Sequence, residues 1–265
     1  MDIMHSKLTT FVSLTCTCLL TANCYAEPGN LLIGAIGGYS SARSSVDVTA
    51  LYRQPNALFA GIPPSTVIED YKEGGFLGGI LAGYQAQCEN WILGAELKAT
   101  WENYNDETTF SFSDVSVAYG GNGFGFNGSM RYQREVTFEF ALRFGYELES
   151  LMLFFPPVFI PYMRVGVQTS KDTIEATYNG DPAVYPFTTS STYKRWPYRF
   201  VAGIGTEFPV TPQLSLRFEY NYVSAGQNME TIGYIQDGGI INPSFATAMN
   251  PIIQSGTMAL VWNFR

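Results

Sequence analysis

Residues 214–222 read LSLRFEYNY, and this stretch decides the fold class. Its apolar and aromatic side chains alternate strictly with polar or charged ones. A period of two is typical of a β-strand, in which successive side chains point to opposite faces. The stretch therefore predicts a strand with one apolar face and one charged face. The apolar face carries Leu214, Leu216, Phe218, Tyr220 and Tyr222, and the other carries Ser215, Arg217, Glu219 and Asn221.

Seven further segments repeat this alternation along the chain. None of them is a continuous apolar run of about 18 residues, the minimum for a membrane-spanning helix. The sequence therefore predicts eight strands and no transmembrane helix. Besides 214–222, the predicted strands are 31–40, 76–85, 91–101, 136–148, 159–169, 196–208 and 256–264.

The distribution of charge over the two faces separates a soluble sandwich from a membrane protein. The apolar face is continuous and aromatic at its ends, whereas the opposite face collects charge of both signs. An apolar exterior with aromatic rims around a polar interior is typical of a transmembrane β-barrel. The predicted fold class is all-β: an eight-stranded antiparallel up-and-down transmembrane β-barrel with four long extracellular loops. Its predicted interior charge network is Glu96, Lys98, Glu139, Arg143, Arg164, Arg199, Glu207, Arg217 and Glu219.

The connections between the predicted strands alternate in length. Short turns are predicted at 87–90 and 209–213, with a somewhat longer connection at 149–157. Long segments rich in Gly, Ser, Thr, Asn and Pro carry 12 acidic and five basic residues. Short turns are expected in the periplasm and long loops outside the cell. The predicted loops are 41–73, 105–130, 170–194 and 227–253.

The N-terminus has the features of a secretory signal peptide. Lys7 precedes a mostly apolar run, and small residues occupy the positions before Glu27. These features predict cleavage after Ala26, so 1–26 is the signal peptide and 27–265 the barrel domain. Cleavage removes His5, the only histidine of the chain, and leaves Cys88 as the single cysteine. No intramolecular disulfide is then expected.

Composition excludes several classes of function. A formal net charge of -8 argues against nucleic acid as a partner, because binding phosphates needs a basic surface. Without histidine, the mature chain lacks the usual general base of envelope hydrolases. A single cysteine and no histidine also leave few metal ligands. We therefore expect no catalytic, cofactor-binding or metal site, and no enzymatic activity.

The eight alternating segments and the aromatic last strand, with Met258, Leu260, Trp262 and Phe264, resemble the OmpA/OmpX/opacity-type barrels. The resemblance covers residues 27–265. It implies a monomer in the outer membrane of a Gram-negative bacterium, in contact with lipid and lipopolysaccharide. It also implies a surface protein that binds an extracellular ligand through its loops, for adhesion, as a surface antigen or in envelope structure. A narrow low-conductance channel is the alternative, and a lipid-modifying enzyme is a third.

Two cations are predicted to face lipid. By strand parity, Arg134 lies on the same face as Val136, and Lys194 on the same face as Trp196. A charge is costly in hydrocarbon but not at the level of the headgroups. Arg134 and Lys194 are therefore predicted to contact lipopolysaccharide phosphates. The alternative is that both side chains extend to water.

Overall fold

The computed structural model describes residues 29–53, 65–104, 107–112, 126–149, 158–180, 188–234 and 242–264. The predicted signal peptide lies outside these residues. No helix in the described part is long and apolar enough to cross a membrane. The described strands are β1 (Asn30–Arg53), β2 (Ser65–Cys88), β3 (Trp91–Glu102), β4 (Glu107–Phe112), β5 (Phe126–Tyr146), β6 (Leu148–Glu149), β7 (Val158–Gly180), β8 (Thr188–Arg195), β9 (Tyr198–Pro209), β10 (Leu214–Val223), β11 (Met229–Tyr234), β12 (Asn242–Met249) and β13 (Ile252–Phe264).

Eight of these strands form a closed antiparallel ring. Going around the ring, the order is β1, β2, β3, β5, β7, β9, β10 and β13, and β13 pairs again with β1. Each of the eight predicted strands coincides with one of these ring strands, except that 136–148 extends two residues past the end of β5 and 196–208 begins two residues before β9. Closure gives every ring strand two hydrogen-bonded neighbours, which a wall surrounded by lipid requires. The predicted all-β, eight-stranded barrel is therefore confirmed.

Tight turns join the ring strands at one end. Only Glu89 and Asn90 separate β2 from β3, and Glu89 has a φ of 54°, in the left-handed region. Between β9 and β10 the chain turns within four residues, and the amide of Val210 donates to the carbonyl of Leu214 at 2.8 Å. Both turns lie where the sequence predicts them. They fix the end of the barrel opposite the long connections.

The long connections start later than the sequence predicts. Strand β1 continues to Arg53, and β7 continues to Gly180, well inside the predicted loops. Strands β4, β8, β11 and β12 also lie within segments predicted as loops. Beyond the ring, the wall therefore continues as a β-structured extension, which we define as residues 42–53, 65–75, 107–112, 126–134, 170–180, 188–195, 229–234 and 242–249.

The extension consists of two half-sheets. One has the ladder order β11, β12, β1, β2, and the other has β8, β7, β5, β4. Their inner faces share one apolar cluster, which fills the space between them. A second, smaller apolar cluster lies inside the ring against β1, β2 and β13. The larger cluster includes Val46, Val48, Tyr71, Phe110, Met130, Tyr132, Ile174, Tyr178, Met229, Phe245 and Met249.

Candidate functional site

Four charged side chains form a closed group in the ring interior, called here the lower quartet: Glu96, Arg143, Glu207 and Arg217. The Arg217 guanidinium contacts Glu96 Oε1 through Nη1 at 2.6 Å and Glu207 Oε2 through Nε at 2.8 Å. Arg143 also pairs with both glutamates, at 3.7 Å to Glu96 Oε1. Each arginine thus touches both carboxylates. The quartet is neutral in total, and all four side chains are buried.

A second group, the upper quartet, consists of Lys98, Glu139, Arg164 and Glu219. Lys98 Nζ and Arg164 Nη1 both contact Glu219 Oε1, at 2.5 and 2.6 Å. Arg164 additionally pairs with Glu139. Asn221 donates to Glu219 Oε1 at 2.7 Å and so adds a neutral donor. Two cations again balance two anions, so the two quartets together carry no net charge.

Tyr162 joins the two quartets. Its hydroxyl donates to Glu219 Oε2 at 3.1 Å, and the Arg143 guanidinium lies 4.2 Å from its ring centroid. Gly205 makes room for this ring, because a Cβ there would come within 2.6 Å of it. Gly203 likewise leaves space for Arg164, whose Cγ would lie 3.0 Å from an added Cβ. Both glycines therefore provide space for bulky interior side chains.

The remaining predicted network residue, Arg199, lies apart from the quartets. Its Nη2 contacts Asp172 Oδ2 at 2.6 Å, and its Nη1 donates to Ser170 Oγ at 3.0 Å. Tyr132 donates to the same Asp172 oxygen at 2.9 Å. Asp172 was missed as an interior residue because residues 170–194 read as a loop. The signal was present, since Gln168, Ser170, Asp172 and the buried Ile174 continue one phase of alternation.

Arg134 does not face lipid, so this part of the predicted lipopolysaccharide contact is wrong. Its side chain is buried, with a residue exposure of 2%, and pairs with Glu102 at 3.0 Å. The cause is a β-bulge, because Arg134 pairs with Asp172 and Thr137 with Ser170, so β5 has one extra residue here. A bulge places two successive residues on one face and reverses parity beyond it. Lys194 is exposed and remains a predicted lipid contact.

A small cavity of about 30 Å³ separates the upper quartet from Arg134. It has room for one or two water molecules. In the described part of the chain, Arg134 Nε and Nη2 and Gln168 Nε2 are buried without a hydrogen-bond partner. Both residues line the cavity. A bound water in this cavity fits these donors.

The described residues contain no group of three or more His, Cys, Asp or Glu side chains that could hold a metal ion. Cys88, for which the sequence predicts no intramolecular disulfide, is disulfide-bonded in the structure. The prediction concerns the chain after cleavage at Ala26, where Cys88 is the single cysteine, and it stays a prediction.

Comparisons with solved structures find several outer-membrane proteins. OprG of Pseudomonas aeruginosa is 13% identical over 90% of this chain and 97% of its own, with a TM-score of 0.40. Neisserial surface protein A is 12% identical over 85% of this chain and 97% of its own, with a TM-score of 0.31. The outer membrane protease OmpT of Escherichia coli is 12% identical over 92% and 100%, with a TM-score of 0.28.

The comparison with protein families is the decisive one. No curated protein matches the chain. The family described as outer membrane protein beta-barrel domain matches residues 10–239, which is most of the chain. The predicted location in the bacterial outer membrane is confirmed by this match. The chain therefore belongs to the outer membrane protein beta-barrel domain family.

Proposed function

We propose that this protein is a closed, non-conducting outer-membrane barrel that acts at the cell surface through its β-structured extension and loops. The ring anchors the extension in the membrane, and the extension presents the connecting segments to the outside. Adhesion, antigenic display and envelope support all require such a display. Catalysis is not part of the proposal, because the chain after Ala26 contains no histidine.

The observation that supports this proposal most directly is that side chains fill the interior of the barrel. An eight-stranded ring encloses a space that side chains can occupy, whereas water-filled pores have about 16 to 18 strands. Here the lower quartet, the upper quartet and the Arg199–Asp172 pair occupy successive levels. Above them, the apolar cluster fills the space between the half-sheets. An ion crossing the barrel would have to displace several charge-paired side chains and then an apolar core.

Conductance in planar lipid bilayers tests the closed state. We expect the purified protein to give no single-channel steps where a 16-stranded porin, reconstituted in parallel, gives them. The quadruple variant E96A/R143A/E207A/R217A empties the lower level without changing net charge. It should also stay silent, because the upper quartet and the apolar cluster still block the path. Reproducible steps from the wild-type protein would replace the proposal with the narrow-channel alternative.

The charge of the predicted loops favours one class of surface ligand. Leaving out the buried Glu73 and Asp172, ten acidic residues against five basic ones give these segments an excess of five negative charges. Complementary charge steers association, so a basic partner is favoured over a polyanion. Barrels in lipid nanodiscs should bind polylysine and not heparin at physiological ionic strength. Preference for heparin would contradict this assignment of ligand class, while the conductance result would still stand.

A further inference from the structure

Two cations lie side by side on the outward face of the barrel. Arg43 of β1 and Lys72 of β2 are directly opposite in the antiparallel register. Both are exposed. Like charges placed directly across a ladder destabilise a sheet, typically by some tenths of a kcal/mol. Such a pair is therefore a cost to the fold unless an anion binds between the two side chains.

No carboxylate in the described part of the chain forms an ion pair with Arg43 or Lys72. By contrast, the outward Lys171 pairs with Glu135 at 2.6 Å, and six interior cations are all paired. Asp70, the outward carboxylate next to Lys72 along β2, lies opposite Ser45. It lies one pair further from the ring than the two cations. The side of the pair that faces the ring therefore carries no negative group on these two strands.

The height of the pair on the barrel wall matches a headgroup layer. Towards the ring, the outward residues of β1 and β2 include Tyr39 and Phe76, whose rings pack edge to face with centroids 5.8 Å apart. Exposed aromatic pairs of this kind mark the membrane interface of a barrel. Arg43 is four residues beyond Tyr39, about 13 Å along the strand and, with usual strand tilt, about 10 Å further out.

We propose that Arg43 and Lys72 together bind a phosphate of lipid A, the phosphorylated glycolipid of the outer leaflet. The site combines two adjacent unpaired cations with polar neighbours, because Ser45 follows Arg43 on the outward face and Gln254 lies opposite Ser41. A guanidinium can bind phosphate through two hydrogen bonds, and an ammonium adds a point charge. The sequence predicted a contact with lipopolysaccharide phosphates for Arg134, and we assign this contact to Arg43 and Lys72 instead.

Native mass spectrometry of the full-length protein in a neutral detergent, titrated with bisphosphorylated lipid A, tests the site. The double variant R43Q/K72Q should bind lipid A more weakly by roughly 25-fold, since each cation near an anionic lipid contributes about fivefold. The exchanged variant R43K/K72R should retain binding, because both charges remain. The outward variant K171Q removes a cation that is already paired with Glu135, so it is the control and should lose little. Folding of each variant is checked by its mobility shift on heating in SDS.

Measurements with other lipids show whether the phosphate of lipid A is what the two cations bind. Dephosphorylated lipid A should bind the wild-type protein about as weakly as lipid A binds R43Q/K72Q. Phosphatidylglycerol should show a much smaller difference between the two proteins. Equal lipid A binding by wild type and R43Q/K72Q, or a loss in K171Q as large as that in R43Q/K72Q, would overturn the proposal. If the double variant does not fold, R43Q and K72Q are measured singly, and each should lose about fivefold.

Discussion

Arg217 is the residue on which the lower quartet depends most directly. It contacts both glutamates of that quartet, and its side chain is 3% exposed. Removing one member of a buried ion pair leaves an uncompensated charge, which costs roughly 3–5 kcal/mol, whereas removing both members is often nearly neutral. We expect R217L to lower the free energy of unfolding by about this amount. The paired variant R217L/E207L should recover most of the loss, because Arg143 and Glu96 remain paired.

A second double variant serves as the control. Glu219 lies two residues from Arg217 on the same face, but its partners are Lys98 and Arg164. R217L/E219L therefore leaves both quartets unbalanced and should be less stable than R217L/E207L. Urea unfolding in detergent micelles measures all three variants. Equal stability of the two double variants would show that these residues do not act as separate paired groups.

Strand parity predicts from the sequence that the quartet residues face inward. The same rule is wrong at Arg134, for a physical reason. All eight quartet residues face inward as alternation predicts. Above Val136 the bulge in β5 puts Glu135 and Val136 on the outward face, so Arg134 turns inward. Nothing in the residues themselves marks a bulge, because both faces remain chemically plausible at an interface. The pairing of each glutamate with its arginine also depends on strand neighbours and not on sequence spacing.

At the scale of elements, Tyr178 links the two half-sheets of the extension. It belongs to β7, stacks on Phe245 of β12 at a centroid distance of 4.7 Å and shares a 2.5 Å hydrogen bond with Thr247. Removing a buried aromatic ring costs about 3–5 kcal/mol, and losing one hydrogen bond about 1 kcal/mol. We expect Y178A to open the extension and expose it to proteases, while Y178F has a small effect.

Limited proteolysis of the reconstituted protein measures this difference. In Y178A, cleavage should occur within β7 beyond Asp172 and within β12, and the ring should remain as a protected fragment. T247V removes only the hydrogen bond and should behave like Y178F. Cleavage of the ring strands in Y178A at the same rate as the extension would contradict the separation of the two parts.

The extension was not predicted because its strands do not have the composition of membrane-spanning ones. In the ring, lipid requires apolar outward residues, which makes alternation conspicuous. Beyond the ring, the outward face meets first the headgroup layer and then water, so Lys72, Asp70 and Thr66 replace aromatic residues. The inward face then reverses character and becomes apolar, as at Tyr71 and Val67. An alternation with apolar outward residues therefore stops where the strand leaves the lipid. A prediction based on that alternation ends the strand at the same point.

At the scale of the whole molecule, the barrel wall encloses two different interiors, that of the ring and that of the extension. Apart from one small apolar cluster, the ring has a polar, charge-balanced interior and an apolar exterior, and the extension has an apolar interior and a mostly polar exterior. The same strands β1, β2, β5 and β7 pass through both. The outer surface of these strands passes from lipid to water. Their backbone hydrogen-bonding ladders continue across this boundary without a break. The extension is thus held in a fixed orientation to the membrane, which suits the proposed role in surface display.

Closure of the ring governs resistance to detergent, and a proline on a ring strand should remove it. Ala259 of β13 lies between Ile36 of β1 and Arg217 of β10, so it belongs to both ladders that close the barrel. Proline there removes an amide donor and strains the strand. Wild-type protein should migrate differently on SDS gels before and after boiling, because a closed ladder offers no edge to attack. A259P should lack the unboiled form.

The control E230P changes β11, which is outside the ring, and should keep the unboiled form. A heat shift retained in A259P, or lost in both variants, would show that closure through β13 is not what resists the detergent.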